Sequence, residues 1–299
     1  LLTVITAATP LVLASIGELV TERTGVLNLG VEGMMVMGAA IAFAATQVTG
    51  SPYIGILAGI AGGALFSLLF GFLTLTLVAN QVATGLALTI LGLGVSGQIG
   101  EPYVGMSGAR LEPIAIPLLS DIPFVGPLLF RQDIIFYISI ALVIGVNWFL
   151  FKSRAGLKIR AIGDNHASAH ALGIHVIRTR YLAVMFGGAC AGLAGAQLSL
   201  VYTPQWVENM SAGRGWIALA LVVFSAWKPG RLLLGAYLFG AVMTLELQAK
   251  AAGITWLAPE VLAMAPYLAT IAVLTMMSLG RKTGRLDAPA CLGKPFSAS

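Results

Sequence analysis

The chain has 299 residues, of which 58% are hydrophobic and only 10% are charged. Because a soluble domain carries about 25% charged residues, this composition excludes an ordinary soluble domain and indicates a polytopic α-helical membrane protein. The net charge of +5 is explained by basic residues that collect in cytoplasmic loops, so we do not interpret it as a nucleic-acid-binding surface.

Apolar runs of about 20 residues, the length that crosses a bilayer, recur along the whole chain. They lie near residues 3–20, 33–49, 54–79, 82–100, 133–151, 181–203, 213–227, 232–249 and 261–279. The predicted fold class is an all-α polytopic membrane protein with about nine or ten transmembrane helices. We predict one transmembrane domain over residues 1–280 and a cytoplasmic tail over residues 281–299. The first run lacks a small-residue cleavage site and is predicted to be a mature helix.

The segment 17–33 places polar residues between two apolar runs. Its polar residues of interest are Glu18, Glu22, Arg23, Asn28 and Glu32. Gly25, Gly30 and Gly33 make a continuous straight helix unfavourable here. Polar groups at membrane depth are costly unless they are paired or face a cavity, so we predict that these residues contribute to a translocation pathway. The alternative is a short interfacial loop in which Glu18 or Glu22 pairs with Arg23.

The same segment contains one long motif, Gly-Glu-Leu-Val-Thr-Glu-Arg-Thr-Gly-Val-Leu-Asn-Leu-Gly-Val-Glu-Gly. This motif resembles the opening of permease subunits in bacterial ABC importers of the branched-chain amino acid/simple sugar permease superfamily. Within that superfamily it resembles the nucleoside-type branch. The resemblance continues through Gly163-Asp-Asn165, the glycine-rich run 187–195 and Gly213-Arg-Gly215, and covers most of the chain.

The resemblance implies a type II, vitamin-B12-transporter-like permease bundle in the bacterial plasma membrane, surrounded by lipid. It implies a non-catalytic subunit that pairs with a second permease, identical or related, and works by alternating access. Two cytoplasmic ATPase subunits would bind ATP and Mg²⁺, an extracytoplasmic solute-binding lipoprotein would deliver the solute, and this chain would bind no cofactor. A nucleoside is the expected substrate, and a ribose-like simple sugar is the alternative.

The segment 152–180, called the basic segment below, fixes the predicted orientation. It contains Lys152, Arg154, Lys158, Arg160, Arg178 and Arg180 against a single acid, Asp164. Since basic loops face the cytoplasm, we predict a cytoplasmic loop here and also place the tail inside. The proline-rich loop 101–132 lacks a basic excess and is predicted to be extracytoplasmic. The side on which the N-terminus lies stays open at this point.

The centre of the basic segment has the pattern of a short capped helix. Asp164 or Asn165 is a suitable N-cap, Gly173 is a suitable residue beyond the C-terminus, and residues 166–172 read as about two helical turns. A helix of that length is unstable alone in water and needs a partner surface. The resemblance implies that this is the ATPase-coupling helix, with the residues Gly163, Asp164, Asn165, His166, Ala169, His170, Leu172, Gly173 and Ile174. The alternative is an ordinary basic loop with an incidental turn.

Other polar residues lie within the apolar runs. Gln81, Thr84, Gln98 and Gln197 are candidates for lining a solute path, and hydrogen bonding between helices explains them about as well. Four tryptophans near predicted helix ends are expected to be interfacial anchors: Trp206, Trp216, Trp227 and Trp256. Glu246 and Lys250 are spaced for a pair on one helix face.

Several kinds of chemistry have no support in the sequence. His166 and His170 have no evident third ligand, so no metal site is predicted. Cys190 and Cys291 lack a paired spacing, so no disulfide is predicted. No Walker A or hydrolase motif is present, and ATP hydrolysis is assigned to partner subunits. A secondary transporter that uses the clustered glutamates for ion coupling and a non-transporting scaffold are the remaining alternatives.

Overall fold

The computed structural model describes residues 2–108, 110–115, 125–252 and 288–297, and the isolated positions 264, 268, 271, 272 and 275. Helices dominate this part of the chain. They are α1 (Leu2–Arg23), α2 (Val31–Thr49), α3 (Pro52–Gly71), α4 (Gln81–Gly100), α5 (Val125–Leu129), α6 (Ile134–Lys152), α7 (Arg154–Asp164), α8 (His166–Ala171), α9 (Val176–Gln197), α10 (Arg214–Phe224) and α11 (Pro229–Ala251). Two short antiparallel strands, β1 (Ile114–Ala115) and β2 (Arg131–Gln132), pair near α5.

Seven of the described helices are long and apolar enough to cross a membrane. They are α1, α2, α3, α4, α6, α9 and α11. Two of them continue into π-helical turns, Phe72–Thr76 after α3 and Leu198–Tyr202 after α9. The prediction of an all-helical, polytopic membrane protein is confirmed at this level.

Two predicted spans do not appear as long helices in the described residues. The run 213–227 contains α10, which has 11 residues and is about 17 Å long, whereas the hydrocarbon core is about 30 Å thick. Positive φ angles bound this helix, 82° at Gly213 before it and 50° at Ala226 after it. The prediction of a full transmembrane helix here is therefore wrong. The predicted span 261–279 lies outside the described residues except at the isolated positions.

Helices α1, α2 and α9 form the centre of the bundle, and α4, α6 and α11 lie at its periphery. Glycines let the central helices approach closely. A Cβ atom added at Gly38 of α2 would lie 2.4 Å from the Cα atom of Gly192 in α9. One added at Gly63 of α3 would lie 2.2 Å from the carbonyl oxygen of Gly188. The abundant glycines thus serve backbone-to-backbone packing, as small residues do in membrane bundles.

The C-terminal end of α1 lies at the basic end of the molecule. A Cβ atom at Gly163 of α7 would lie 2.2 Å from the carbonyl oxygen of Arg23. Residues of the tail meet the same place, because the Cys291 amide donates a 2.8 Å hydrogen bond to the Gly163 carbonyl. Helix α1 therefore starts at the end of the bundle opposite the basic segment.

The basic segment contains more helix than the one short helix that the sequence predicted. It comprises α7, α8 and the first turns of α9. Ser153 begins α7, its hydroxyl accepting a 2.9 Å hydrogen bond from the Gly156 amide. Arg180, expected in the loop, is buried in α9 with 1% of its surface exposed. Local serine and asparagine caps divide the segment into short helices, and composition alone does not reveal them.

The remaining sequence predictions have mixed outcomes. Trp206 and Trp227 are buried inside the protein, so their prediction as interfacial anchors is wrong, and Trp256 lies outside the described residues. The Lys250 Nζ atom lies 2.7 Å from Glu246 Oε1, which confirms that predicted pair.

Candidate functional site

The turn between α1 and α2, residues 24–30, is held by buried side chains and is called the polar turn below. The structure places Glu18 and Asn28 together here, and both are buried. Glu18 Oε1 accepts a 3.0 Å hydrogen bond from the Asn28 amide, and Asn28 Oδ1 accepts one of 3.0 Å from the Gly30 amide. The turn requires a glycine at position 25, because the backbone there has a left-handed φ of 84°. Helix α1 stays continuous to Arg23, so the predicted interruption begins only after it.

Helix α4 contributes a further support to the polar turn. Gln81 is buried, and its Oε1 atom accepts a 2.8 Å hydrogen bond from the Leu27 amide. Asn80 caps α4, its Oδ1 atom accepting a 3.0 Å hydrogen bond from the Ala83 amide. Thr84 follows one turn later and is half-buried. Gln81 therefore lies next to the other predicted pathway residues in space, although it is far from them in sequence.

Glu22 and Arg23 both hold Trp227, which follows α10. The Trp227 indole Nε1 donates a 2.6 Å hydrogen bond to Glu22 Oε2. Arg23 Nη2 donates a 3.0 Å hydrogen bond to the Trp227 carbonyl. All three side chains are buried. A buried indole requires such a partner, and this explains an acid at the end of an apolar helix.

Glu32 caps the N-terminus of α10 from the first turn of α2. Its Oε1 atom accepts hydrogen bonds from Ser211 Oγ at 2.5 Å and from the Gly213 amide at 2.8 Å, and its Oε2 atom accepts one of 2.6 Å from the Gly215 amide. The start of a helix has unpaired amides and a positive dipole end, which favour a carboxylate. Glu32 thereby satisfies the unpaired amides at the start of a short helix inside an apolar bundle.

Two other polar residues of the membrane region join helices. Gln197 Nε2 donates a 3.1 Å hydrogen bond to the Thr6 carbonyl. Ser199 Oγ donates one of 3.0 Å to the Ala39 carbonyl. Gln98 is exposed on α4. The interpretation as helix-to-helix hydrogen bonding therefore describes Gln197 and Ser199.

Helix α8 confirms the predicted short helix within the basic segment. Asn165 is the cap, its Oδ1 atom accepting a 3.0 Å hydrogen bond from the Ser168 amide, and Gly173 has the expected left-handed φ of 79°. Ala169 is buried in a small cluster with Ile162 and Val176. Gly163 is also buried, while Asp164 and His170 are exposed and Ile174 is half-buried.

Several residues of α8 are exposed. Leu172, directly after its last residue, has 82% of its surface exposed, the highest value among the exposed large apolar side chains of the described residues. It lies in the basic segment, between the candidate spanning helices α6 and α9. A single exposed apolar residue is common on proteins. Here it stands on a helix too short to fold without support.

His166 begins α8 and faces positive charge. Burial and the neighbouring cations Arg180 and Lys294 hold the pKa of His166 below its usual value of 6.5. Arg180 Nη2 lies 3.2 Å from His166 Nδ1, so this nitrogen accepts and the imidazole is neutral. Within the described residues no group of three or more His, Cys, Asp or Glu side chains is arranged to hold a metal ion.

Several partners of the candidate residues lie far from them in sequence and were not predicted. Glu32 accepts hydrogen bonds from Ser211, Gly213 and Gly215, and Glu22 accepts one from Trp227. These partners are 179 to 205 residues apart in sequence. The tail and Arg180 meet next to α8. A possible signal was the pair of glycines around Arg214, since amides without side chains suit close approach of an anion.

Comparisons with known proteins identify the family of this chain. Residues 1–279 match the family described as "Branched-chain amino acid transport system / permease component". The chain is 41% identical to "Putative glucose ABC transporter permease protein TsgC13" of Haloferax volcanii, covering 97% of this chain and 95% of that protein.

Two further relatives carry nucleoside names. The guanosine ABC transporter permease protein NupQ of Bacillus subtilis is 34% identical, covering 97% of this chain and 93% of that protein. The nucleoside ABC transporter permease protein NupC of Lactococcus lactis is 32% identical, covering 90% of this chain and 89% of that protein. The sequence resemblance is thus confirmed: the chain belongs to the branched-chain amino acid transport system/permease component family and is a multi-pass ABC transporter permease subunit.

Proposed function

We propose that the chain is the translocation subunit of an ATP-driven importer of nucleosides, with α8 as the helix that receives the movement of a separate ATPase. The observation that carries the coupling role is the geometry of α8. Ala169 is buried, whereas Leu172, directly after the last residue of α8, has 82% of its surface exposed. Such a helix is anchored to the membrane bundle and open to a cytoplasmic partner at the same time.

The partners follow from the family and from what this chain lacks. ABC permeases act with ATPase subunits, and no Walker A motif occurs in this sequence. We therefore assign ATP and Mg²⁺ to a pair of cytoplasmic ATPases and no cofactor to this chain. A second permease, identical or related, completes the pore in a type II bundle, and an extracytoplasmic lipoprotein delivers the solute.

The physical mechanism is alternating access. The central helices α1, α2 and α9 pack backbone to backbone through glycines, which suits their movement as a rigid unit. Closure of the ATPases would shift α8, and the bundle would reorient around a weakly binding path. The predicted pathway residues Glu18, Glu22, Arg23, Asn28, Glu32, Gln81 and Thr84 would act mainly by holding the moving elements together.

A nucleoside is the substrate that we favour. The motif at 17–33 is of the nucleoside type, and NupQ and NupC are named for guanosine and nucleosides. A simple sugar is the second candidate, because the relative at 41% identity is named for glucose. Both solutes are uncharged and rich in hydroxyl groups, so either suits a path without a dedicated ionic site.

Uptake by proteoliposomes that contain the permease, its ATPases and its binding protein tests the substrate. We expect labelled guanosine or uridine to enter only with ATP, and unlabelled glucose not to compete. Competition by glucose and uptake of labelled glucose would overturn the nucleoside assignment in favour of the sugar.

The same vesicles test the class of transporter. A protonophore should leave ATP-driven uptake unchanged. Uptake that persists without ATP and collapses with the protonophore would instead support ion-coupled transport. Absence of any solute uptake, with no ATPase bound, would support a scaffold.

A further inference from the structure

The tail residues 288–297 pack against α8, α7 and the polar turn at once. The Cys291 amide donates a 2.8 Å hydrogen bond to the Gly163 carbonyl, and the Gly293 amide donates one of 3.0 Å to the Gly25 carbonyl. One short stretch of backbone thus connects α7, next to α8, with the turn between α1 and α2. Neither end of this connection was expected from the sequence, which predicted only a basic cytoplasmic tail.

Arg180 lies at the centre of this junction and is almost fully buried. Its Nε atom donates a 3.0 Å hydrogen bond to the Thr24 carbonyl, and its Nη1 atom donates one of 3.4 Å to the Lys294 carbonyl. Its Nη2 atom lies 3.2 Å from His166 Nδ1. A single guanidinium therefore contacts the polar turn, the tail and the first residue of α8. Its rigid fork of donors suits such a three-way contact better than a lysine.

Aromatic packing closes the junction on the side of α8. The Phe296 ring lies 5.1 Å from the His166 ring and 5.4 Å from the His170 ring, measured between centroids. Phe296 also packs against the cluster that buries Ala169. The tail therefore contacts α8 at its first residue and again in its last turn.

The space at the junction is tight. A Cβ atom at Gly163 would lie 3.1 Å from the Pro289 Cβ atom, and one at Gly25 would lie 2.9 Å from Arg180 Nη2. Cys291 is buried, and its Sγ atom lies 3.5 Å from the Asp164 carbonyl oxygen. Close packing transmits displacement because its parts have few alternative arrangements.

We propose that Arg180 and tail residues 288–297 form a brace that fixes α8 to the polar turn, so that a displacement of α8 displaces α1 and α2. The brace rests on the proposed coupling role of α8. Arg180 is a positioning residue in this scheme, because it acts through α8 and the turn. In this proposal the tail helps to transmit the displacement of α8 to the membrane helices α1 and α2.

Cys291 is a native probe of the brace. In a Cys190→Ala background, which keeps the Cβ atom that packs against α1, Cys291 is the only cysteine in the sequence. We expect a membrane-impermeant maleimide to alkylate Cys291 in inside-out vesicles at least tenfold more slowly than it alkylates the denatured protein. Phe296→Ala and Arg180→Met should both raise the rate severalfold. Arg178→Met removes an exposed charge from the same helix and should leave the rate unchanged.

Coupling is measured on the assembled transporter as solute imported per ATP hydrolysed. Phe296→Ala and Arg180→Met should lower this ratio at least threefold while ATP hydrolysis continues, and Arg180→Lys should restore part of it. A folding defect alone would reduce import and ATP hydrolysis together. The Phe296 variant leaves the buried arginine intact, so it tests the proposal even if the Arg180 variant misfolds.

The outcomes separate the two proposals. Rapid alkylation of Cys291 in the parent protein, or an unchanged import ratio in both variants, would overturn the brace and leave the proposed function standing. Absence of ATP-driven import by the parent protein would overturn the proposed function, whatever the reactivity of Cys291.

Discussion

The polar turn and α8 are both short segments at the same end of the bundle, and their surroundings are opposite. Side chains of the polar turn are buried, and α1 and α4 satisfy its amides through Glu18 and Gln81. Helix α8 buries Ala169 and is followed by the exposed Leu172. The polar turn is thus satisfied by other side chains of this protein, whereas Leu172 stays exposed among the residues that the structure describes.

This difference explains which residue types occur in segment 17–33 and which occur in α8. The acids of segment 17–33 have partners inside the chain, so their residue types are dictated by folding as well as by transport. Among the residues of α8 and its caps, Asn165 caps the helix, Ala169 is buried, and His166 and His170 pack against Phe296. The exposed positions are left to an external surface. Variants in the two segments should therefore fail in different ways.

The largest effect is expected for Glu32→Ala. The substitution leaves Ser211 Oγ and the amides of Gly213 and Gly215 without their acceptor. Each buried donor left unpaired costs about 1–3 kcal/mol, so we expect a loss of several kcal/mol of stability. The melting temperature in detergent should fall by many degrees, and import should be lost with the fold.

Two matched variants sharpen this result. Glu32→Gln keeps one acceptor oxygen and should fall between the alanine variant and the parent. Lys250→Ala breaks a partly exposed pair on α11, which is worth about 0.5 kcal/mol or less, and should leave the melting temperature nearly unchanged. A melting temperature of Glu32→Ala equal to that of the parent would show that the cap does not stabilise the bundle.

The ease of predicting each region from sequence follows the range of its interactions. Helix α8 was predictable because its cap bond joins residues three apart and Gly173 follows it directly. The partner of Glu32 was not predictable, since it lies about 180 residues away and hydropathy carries no pairing information. Hydropathy also overestimated α10, because an apolar run does not reveal the backbone turns at Gly213 and Ala226.

Arg180 illustrates the same limit. Charge counting placed it in a cytoplasmic loop, whereas the structure places it buried in α9. Its burial depends on the tail and on the polar turn, which are 114 and 156 residues away in sequence. A local pattern cannot supply such a contact, and only the folded bundle brings the three segments together.

A smaller and more selective effect is expected for Leu172→Asp. The side chain is exposed, so the folded bundle should keep its melting temperature. If α8 docks on an ATPase, a charge at this position should weaken the complex and reduce ATP-driven import at least tenfold. Leu172→Met, which keeps the apolar surface, should retain most of the import. Unchanged import by the aspartate variant would remove Leu172 from the docking surface.

The smallest expected effect is a dependence of the α8 junction on pH. When the tail is packed against α8, the pKa of His166 is held below 6.5. The packed state therefore binds fewer protons than a state in which the tail has detached from α8. Packing of the tail on α8 is then complete above about pH 6.5 and weakens as the pH falls toward the lowered pKa. The reason is that protonation of His166 removes the acceptor for Arg180 and adds a charge next to Lys294. Cys291 alkylation in the Cys190→Ala background, divided by the rate for the denatured protein at each pH, should rise a few-fold between pH 7.5 and 5.5. His166→Gln should flatten this rise, while a rise of the same size in that variant would assign the pH dependence to another group.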